Sequence, residues 1–205
     1  MKHKSFIYGT MLALAGLSPL AQAQRSELSV DYSFINYNPA RSLAGARNLN
    51  GGGAAFVYNF SKFVGAKAEL EGYGSTTYTF TVPTNNPHGL PPGVYQSSGS
   101  GFTYLFGPQI NIPLRKVRPF GEALFGGAYN NVYANFYTKA NVLGAAPSNN
   151  GFAMAIGGGL DIPVGERIMI RPAELDYFLT RYQINALGTN NQSNFRYQAG
   201  VVFVF

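Results

Sequence analysis

The residue types that most often carry out catalysis or bind metals are scarce in this sequence. It contains no cysteine and two histidines, and His88 stands alone between Pro87 and Gly89. A serine hydrolase needs a histidine beside its nucleophile, and a structural zinc site needs several cysteine or histidine ligands. The sequence therefore predicts no catalytic residue, no metal site and no cofactor, and we do not expect an enzyme.

Carboxylates do recur at a spacing of two residues, in Glu69 with Glu71 and in Glu174 with Asp176. Two nearby carboxyl groups can act as a general acid and a general base. Residues two apart on a β-strand also lie on one face of that strand, so a polar strand face produces the same spacing. We favour the polar face.

Two glycine runs, at residues 51–53 and 157–159, could suggest phosphate-binding loops. Neither run matches GxGxxG or GxxxxGK[ST], and neither precedes a plausible helix. We predict instead that these glycines permit strand curvature or close packing against interior side chains.

The first residues have the order of a secretory signal peptide. Lys2 and Lys4 precede an apolar stretch over residues 6–20, and Ala21 and Ala23 supply the small residues of a cleavage site. The stretch is shorter than the roughly 20 residues of a spanning helix, which favours cleavage over a retained anchor. We predict a signal peptide over residues 1–23, cleaved after Ala23, and a single domain over residues 24–205.

The composition suits a membrane barrel better than a water-soluble domain. Charged residues make up 12% of the chain, against roughly 25% in soluble domains, yet 14 Tyr and 16 Phe are present. No segment after residue 23 is apolar enough for a transmembrane helix, whereas barrel strands alternate apolar and polar residues. The Lys and Arg residues are scattered, so we expect no nucleic-acid partner.

Alternation of apolar and polar residues predicts eight strands. The clearest case is the last segment, where Phe195, Tyr197 and Val201 share one face and Arg196 and Gln198 the other. The predicted strands cover residues 27–36, 53–60, 64–73, 101–109, 117–128, 152–162, 168–177 and 195–205. The predicted fold class is all-β, an eight-stranded antiparallel up-and-down transmembrane β-barrel.

The connections between the predicted strands alternate in length. Those near 37–52, 75–97, 129–151 and 178–194 are long and polar, and those near 61–63, 109–116 and 163–167 are shorter. Long outer loops and short periplasmic turns are typical of outer-membrane barrels. The aromatic residues of segment 129–137 make it the best candidate for a binding loop.

In two of the predicted strands, strict alternation does not separate charged residues from large apolar residues or place all charged residues on one face. Glu122 shares a face with Phe120 and Leu124, and we expect all three to face inward because a carboxylate facing lipid is costly. Arg171 lies on the opposite face from Glu174 unless one extra residue is accommodated. We therefore predict a β-bulge near Pro172.

These assignments gather the ionisable residues in the barrel interior, where acidic groups outnumber basic ones. An eight-stranded barrel holds just enough room for side chains, so we predict a plug of charge-assisted hydrogen bonds and no wide pore. A narrow ion pathway is the alternative that we favour less. The predicted interior residues are Asp31, Lys67, Glu69, Glu71, Arg118, Glu122, Asp161, Arg171, Glu174, Asp176 and Arg196.

Four segments resemble the OmpA-like family of outer-membrane barrels, which includes the OmpX-type barrels. They are residues 64–74 (VGAKAELEGYG), 117–127 (VRPFGEALFGG), 157–161 (GGGLD) and 171–176 (RPAELD). The resemblance covers nearly all of residues 24–205 and implies location in the cell outer membrane of a Gram-negative cell. It also implies an insertion signal in the last strand, read by the outer-membrane assembly machinery and formed by Tyr197, Val201, Phe203 and Phe205.

The sequence stops at the barrel, so the cell-wall-binding domain of full-length OmpA is not expected. The leading hypothesis is a non-enzymatic envelope protein that supports membrane integrity or surface interaction through its outer loops. A small passive, porin-like channel is the first alternative, and an outer-membrane lipid-modifying enzyme is a less favoured one. A secreted barrel with a hydrophobic ligand is disfavoured by the polar interior. The expected partners are outer-membrane lipid and the assembly machinery, and the sequence does not identify a loop partner.

Overall fold

The computed structural model describes residues 26–37, 47–85, 91–131, 150–184 and 188–205. The predicted signal peptide, His88 and most of the aromatic segment 129–137 lie outside these ranges. The regular structure within them consists of strands. They are β1 (Ser26–Tyr37), β2 (Arg47–Asn59), β3 (Val64–Val82), β4 (Gly93–Asn111), β5 (Arg118–Asn130), β6 (Asn150–Pro163), β7 (Ile168–Ile184) and β8 (Gly188–Val204).

The eight strands form one closed antiparallel barrel in chain order. Each strand pairs with the strands next to it in sequence, and β1 pairs with β8 over Glu27–Asn36 to close the sheet. The predicted eight-stranded antiparallel barrel is therefore confirmed. Within the described ranges, no helix is long and apolar enough to cross a membrane.

The strand connections define two ends of the barrel. The connections at residues 60–63, 112–117 and 164–167 lie at one end, which we call the turn end, and we call the opposite end, where β1, β3, β5 and β7 finish, the loop end. The β2–β3 turn is tight because Ser61 Oγ accepts hydrogen bonds from the backbone N–H of Phe63 and of Val64, at 3.2 and 3.1 Å. Local side-chain hydrogen bonding of this kind is a usual role of serine in turns.

Four strands, β3, β4, β7 and β8, extend at least seven residues further than the alternation predicted. Residues 75–97 were expected to form a loop, but β3 continues to Val82 and β4 begins at Gly93. The cause is the β-branched and aromatic run TTYTFTV over 76–82, which favours a strand, while the prolines are confined to residues 83–92. The loop predicted at 178–194 is likewise mostly strand, because β7 runs to Ile184 and β8 starts at Gly188.

The two faces of every strand differ sharply in polarity. The outward face carries large apolar side chains, and the inward face carries most of the buried polar and charged groups. This arrangement inverts that of a water-soluble protein, in which charged side chains stay outside. One exposed apolar residue from each strand illustrates the pattern: Leu28, Phe56, Leu70, Phe106, Phe125, Ile156, Leu175 and Phe203.

The predicted bulge at Pro172 is confirmed. The pairing of β7 with β8 steps from Arg171 opposite Gly200 to Glu174 opposite Gln198, so two residues of β7 face one residue of β8. The extra residue allows Arg171 and Glu174 to point into the barrel together. The Tyr197 hydroxyl donates a hydrogen bond of 2.7 Å to the carbonyl of Pro172 at this irregularity.

Both glycine runs lie inside strands, at the centre of β2 and β6. A Cβ built on Gly53 would lie 2.5 Å from Oε1 of Glu71, and one on Gly157 would lie 2.3 Å from Oδ1 of Asp176. Side chains at these positions would therefore displace the interior carboxylates. The prediction of close packing against interior side chains is confirmed.

Candidate functional site

The structure places all eleven predicted interior residues on the inward face of the barrel. Nine of them are buried, and Asp31 and Arg118 are half-buried. Glu122 faces inward together with Phe120 and Leu124, which are 6% and 0% exposed, as the parity argument predicts. The interior is thus charged where the surrounding wall is apolar.

Lys67 lies at the centre of this interior. Its Nζ is 3.1 Å from Glu69 Oε2, 3.0 Å from Glu122 Oε2 and 2.9 Å from Glu174 Oε1. These three carboxylates come from β3, β5 and β7 and lie within 4.8 Å of one another, close enough to ligate a metal ion. The ammonium group takes the central position instead, and its three N–H donors match three acceptors.

Arg171 bridges two acidic residues on neighbouring strands. It contacts both carboxylate oxygens of Asp161, from Nε at 2.8 Å and from a terminal nitrogen at 3.2 Å, and Glu174 Oε2 at 2.7 Å. The guanidinium carbon lies 4.3 Å from the ring centroid of Phe120. This stacking gives Phe120 a favourable place in a polar interior, because a cation over an aromatic face is attracted to it.

Arg196 forms the third centre of positive charge. It donates hydrogen bonds to both carboxylate oxygens of Glu69 on β3, and its Nε lies 2.9 Å from Asp176 Oδ2 on β7. Glu69 therefore contacts both Lys67 and Arg196. The three centres form one continuous network through shared carboxylates.

The network continues to the turn end through Arg118. Its terminal nitrogens lie 2.5 and 2.6 Å from the Glu27 oxygens, and one of them is 2.7 Å from Asp161 Oδ2. Asn59 donates a hydrogen bond of 2.8 Å to Glu27, and Asn111 donates one of 3.0 Å to Asn59. Glu27 is absent from the predicted set, although its parity with Ser29 and Asp31 would have identified it.

The charge balance of the interior is uneven. Eight of the nine carboxylates in the sequence face inward, and they meet four cations, Lys67 and three arginines. Six carboxylates have a basic partner within 4.0 Å, and within the described residues Asp31 and Glu71 have none. The six paired carboxylates are Glu27, Glu69, Glu122, Asp161, Glu174 and Asp176.

Apolar side chains close the interior toward the loop end. Ile35 and Tyr73 follow the polar positions of β1 and β3 and are 1% and 5% exposed. Phe178 on β7 is 2% exposed, and the Arg196 guanidinium lies 5.4 Å from its ring centroid. The charged network is therefore covered by packed side chains on its loop side.

The residues of the predicted insertion signal lie on the outward face of β8. Val201, Phe203 and Phe205 are exposed, with Phe205 71% exposed, and Tyr197 is partly exposed. The backbone N–H of Phe205 donates a hydrogen bond of 2.8 Å to the carbonyl of Ser26, which joins β8 to β1 at the turn end. The role of these residues in insertion stays a prediction.

Comparison with solved structures places this fold among small outer-membrane barrels. The outer membrane protein OprG from Pseudomonas aeruginosa matches with a TM-score of 0.59 at 14% identity, over 89% of this chain and 96% of that chain. Neisserial surface protein A matches with a TM-score of 0.56 at 10% identity, over 89% and 97%. No protein-family model and no curated protein sequence matches this chain. The predicted resemblance to small outer-membrane barrels is confirmed for the fold.

Replacing Lys67 with methionine should destabilise the barrel strongly. Glu122 has no basic partner other than Lys67 among the described residues, so the substitution leaves a buried carboxylate uncompensated. We expect a loss of about 3–5 kcal/mol in the free energy of unfolding, measured by urea titration of the folded protein in detergent micelles.

Two further variants make the Lys67→Met measurement specific. Lys62→Met removes an exposed turn lysine and should change the free energy of unfolding by no more than about 0.5 kcal/mol. Adding Glu122→Gln to Lys67→Met should recover part of the loss, because the uncompensated charge is then gone. Equal unfolding midpoints for Lys67→Met and Lys62→Met would contradict a role for the network in stability.

Proposed function

We propose that this chain, which has the fold of small outer-membrane barrels, is an integral outer-membrane protein without enzymatic activity. It forms a closed barrel that supports the envelope and presents its loop end as an interaction surface. The observation that carries the proposal is the inversion of polarity between the exposed apolar wall and the buried charged interior. Exposed aromatic and aliphatic residues on all eight strands would be unstable in water, whereas lipid tails solvate them.

The outward residues also mark where the membrane would end. On β4 the exposed residues change from Gln96, Ser98 and Ser100 to Phe102, Tyr104 and Phe106. The same change occurs on β8, where Ser193 is followed two residues later by Phe195. From Phe102 to Ile112 the apolar stretch is about as long as a tilted strand needs to cross a bilayer. We place the outer boundary of the hydrocarbon layer between Ser100 and Phe102.

The β3–β4 and β7–β8 hairpins extend beyond this boundary. Strands β3 and β4 are each 19 residues long, roughly twice the 9–11 residues that a bilayer requires. The exposed residues of the extension are mostly polar, among them Thr77, Thr79, Gln96 and Ser98. A strand hairpin that projects from the membrane is a rigid support for surface contacts, which supports interaction as part of the proposed function.

The structure of the interior favours a closed barrel over a passive channel. A cavity of about 360 Å³ opens at the turn end and is lined by Glu27, Asn59, Asn111 and Arg118, among other residues. A cavity at this position is what the entrance of a channel would require. It ends, however, at the Arg118 contacts with Glu27 and Asp161, and the buried Lys67 network fills the barrel behind them.

Assembly into the outer membrane would involve the last strand. We assign the outward residues Tyr197, Val201, Phe203 and Phe205 as the surface that the outer-membrane assembly machinery reads, as the family resemblance implies. Their exposure on one face of β8 makes them available to a partner before the strand reaches lipid.

A matched pair of substitutions on β4 tests the membrane location. Phe106 and Val94 are both outward and are 67% and 70% exposed, but Phe106 lies within the proposed hydrocarbon layer and Val94 lies in the extension. Phe106→Arg should destabilise the barrel in phospholipid vesicles by about 2–4 kcal/mol, and Val94→Arg should have little effect. Folding into vesicles is followed by the shift between unboiled and boiled samples on a denaturing gel. A protein that tolerates both substitutions equally would not be spanning the bilayer at Phe106.

Planar-bilayer recording tests the closed interior. Purified protein should insert without producing discrete conductance steps, because the ion-paired network leaves no continuous water path. The baseline is the same detergent without protein, and an open porin inserted under the same conditions shows that insertion is detectable. Reproducible unitary currents from the wild-type protein would favour the channel alternative.

A further inference from the structure

The two carboxylates without a basic partner lie side by side in the barrel wall. Strand pairing sets Asp31 on β1 opposite Gly53 on β2, Gly53 opposite Glu71 on β3, and Glu71 opposite Thr103 on β4. These four positions form one row on the inward face. Because Gly53 has no side chain, the Glu71 carboxyl group lies over it and reaches hydrogen-bond contact with the Asp31 carboxyl group.

Glycines on two neighbouring strands pack closely against this carboxyl pair. A Cβ on Gly53 would lie 2.5 Å from Oε1 of Glu71, and a Cβ on Gly200 of β8 would lie 2.8 Å from the Cβ of Asp31. Alanine at either position would crowd the side chains of the pair. The two glycines thus allow the Asp31 and Glu71 side chains to approach each other closely.

Three oxygen atoms of this row, and one of Gln198, which lies two residues before Gly200 on β8, are without a hydrogen-bond partner. They are Asp31 Oδ1, Glu71 Oε2, Thr103 Oγ1 and Gln198 Oε1. Thr103 and Gln198 are 3% and 1% exposed, and Gln198 Nε2 donates a hydrogen bond of 3.0 Å to Glu71 Oε1, which fixes its amide beside the pair. Buried polar atoms without partners are costly and uncommon in folded proteins.

We propose that Asp31, Glu71, Thr103 and Gln198 bind one hard divalent cation, of the Ca²⁺ or Mg²⁺ class. The donor set contains oxygen alone, which these cations prefer, and the two carboxylates supply two negative charges to balance two positive ones. A shared proton would satisfy the carboxyl pair, but the Gln198 carbonyl would still lack a partner. A cation with six or more ligands uses all four oxygens and completes its shell with water.

The half-buried Asp31 provides the accessible edge of this site, since the other three residues are buried. The ion would also reduce the excess of negative charge in the interior. The four basic side chains are already paired with the six other inward carboxylates. This site does not depend on the function proposed above, since neither the loop surface nor the membrane boundary contributes to it.

Titration calorimetry with CaCl₂ on the folded, detergent-solubilised protein tests the proposal. We expect one Ca²⁺ per chain and a rise in the thermal unfolding midpoint with CaCl₂ that excess EDTA reverses. Glu71→Gln and Asp31→Asn should each weaken Ca²⁺ binding at least about tenfold, because each removes one ligand charge. The matched control is Glu166→Gln, since Glu166 is the carboxylate on an exposed turn, and it should bind as the wild type does.

If Glu71→Gln does not fold, Thr103→Val removes one neutral ligand and should weaken binding severalfold while keeping the carboxylates. Wild-type protein that binds neither Ca²⁺ nor Mg²⁺ at millimolar concentration would overturn the proposal. So would a Glu71→Gln variant that binds like the wild type. An infrared band of a protonated carboxyl that disappears in Glu71→Gln, together with no cation binding, would assign a shared proton to the pair and would also overturn it.

Discussion

The pairing of β1 with β8 is the contact on which the rest of this structure depends. A sheet within lipid cannot leave an edge strand unpaired, because exposed backbone N–H and C=O groups find no hydrogen-bond partner there. Closure of the sheet removes both edges at once. It also creates an enclosed interior, and every inward residue of the eight strands then has to find its partners inside that volume.

The inward residues find these partners largely through ion pairs, and several of these pairs connect strands that are not neighbours in the sheet. The backbone ladder ties each strand only to its neighbours, whereas Lys67 on β3 contacts Glu122 on β5 and Glu174 on β7. Arg196 on β8 reaches Glu69 on β3 in the same way. Such contacts do not make the protein more stable than a well-packed apolar core would. They fix which strands face each other across the barrel. Removal of one residue of an ion pair leaves its partner as a buried charge without compensation.

Much of the fold could be predicted from the sequence. The alternation of apolar and polar residues along a strand shows directly that one face contacts an apolar exterior and the other a polar interior. The parity conflict between Arg171 and Glu174 even located a bulge, since a charge facing lipid costs more than one extra residue in a strand. Strand ends were less predictable. Residues 76–82 favour a strand by their side chains, but polar composition and nearby prolines favoured a loop. The exposed residues of this extension include Thr77 and Thr79, so it lacks the apolar face that identifies the other strands.

The partners within the interior could not be predicted at all. Which carboxylate meets Lys67 depends on how the strands are staggered around the barrel, and this stagger is a property of the whole sheet. Glu27 is the exception, since its parity with Ser29 and Asp31 in the first strand could have placed it in the interior. The isolation of Asp31 and Glu71 from the arginines likewise emerges only when the register is known.

The central claim is that β3 alternates between lipid and a closed, charged interior, and spin labels along this strand test it most directly. The sequence has no cysteine, so single cysteines can be introduced without removing native ones. Labels at Ala66, Ala68 and Leu70 should collide readily with oxygen dissolved in lipid, and labels at the inward positions Gly65 and Tyr73 should be shielded from oxygen and from a water-soluble nickel reagent. A two-residue period along β3 is the predicted result. Labels at Ala66, Ala68 and Leu70 that are accessible to the nickel reagent instead would contradict the inverted barrel.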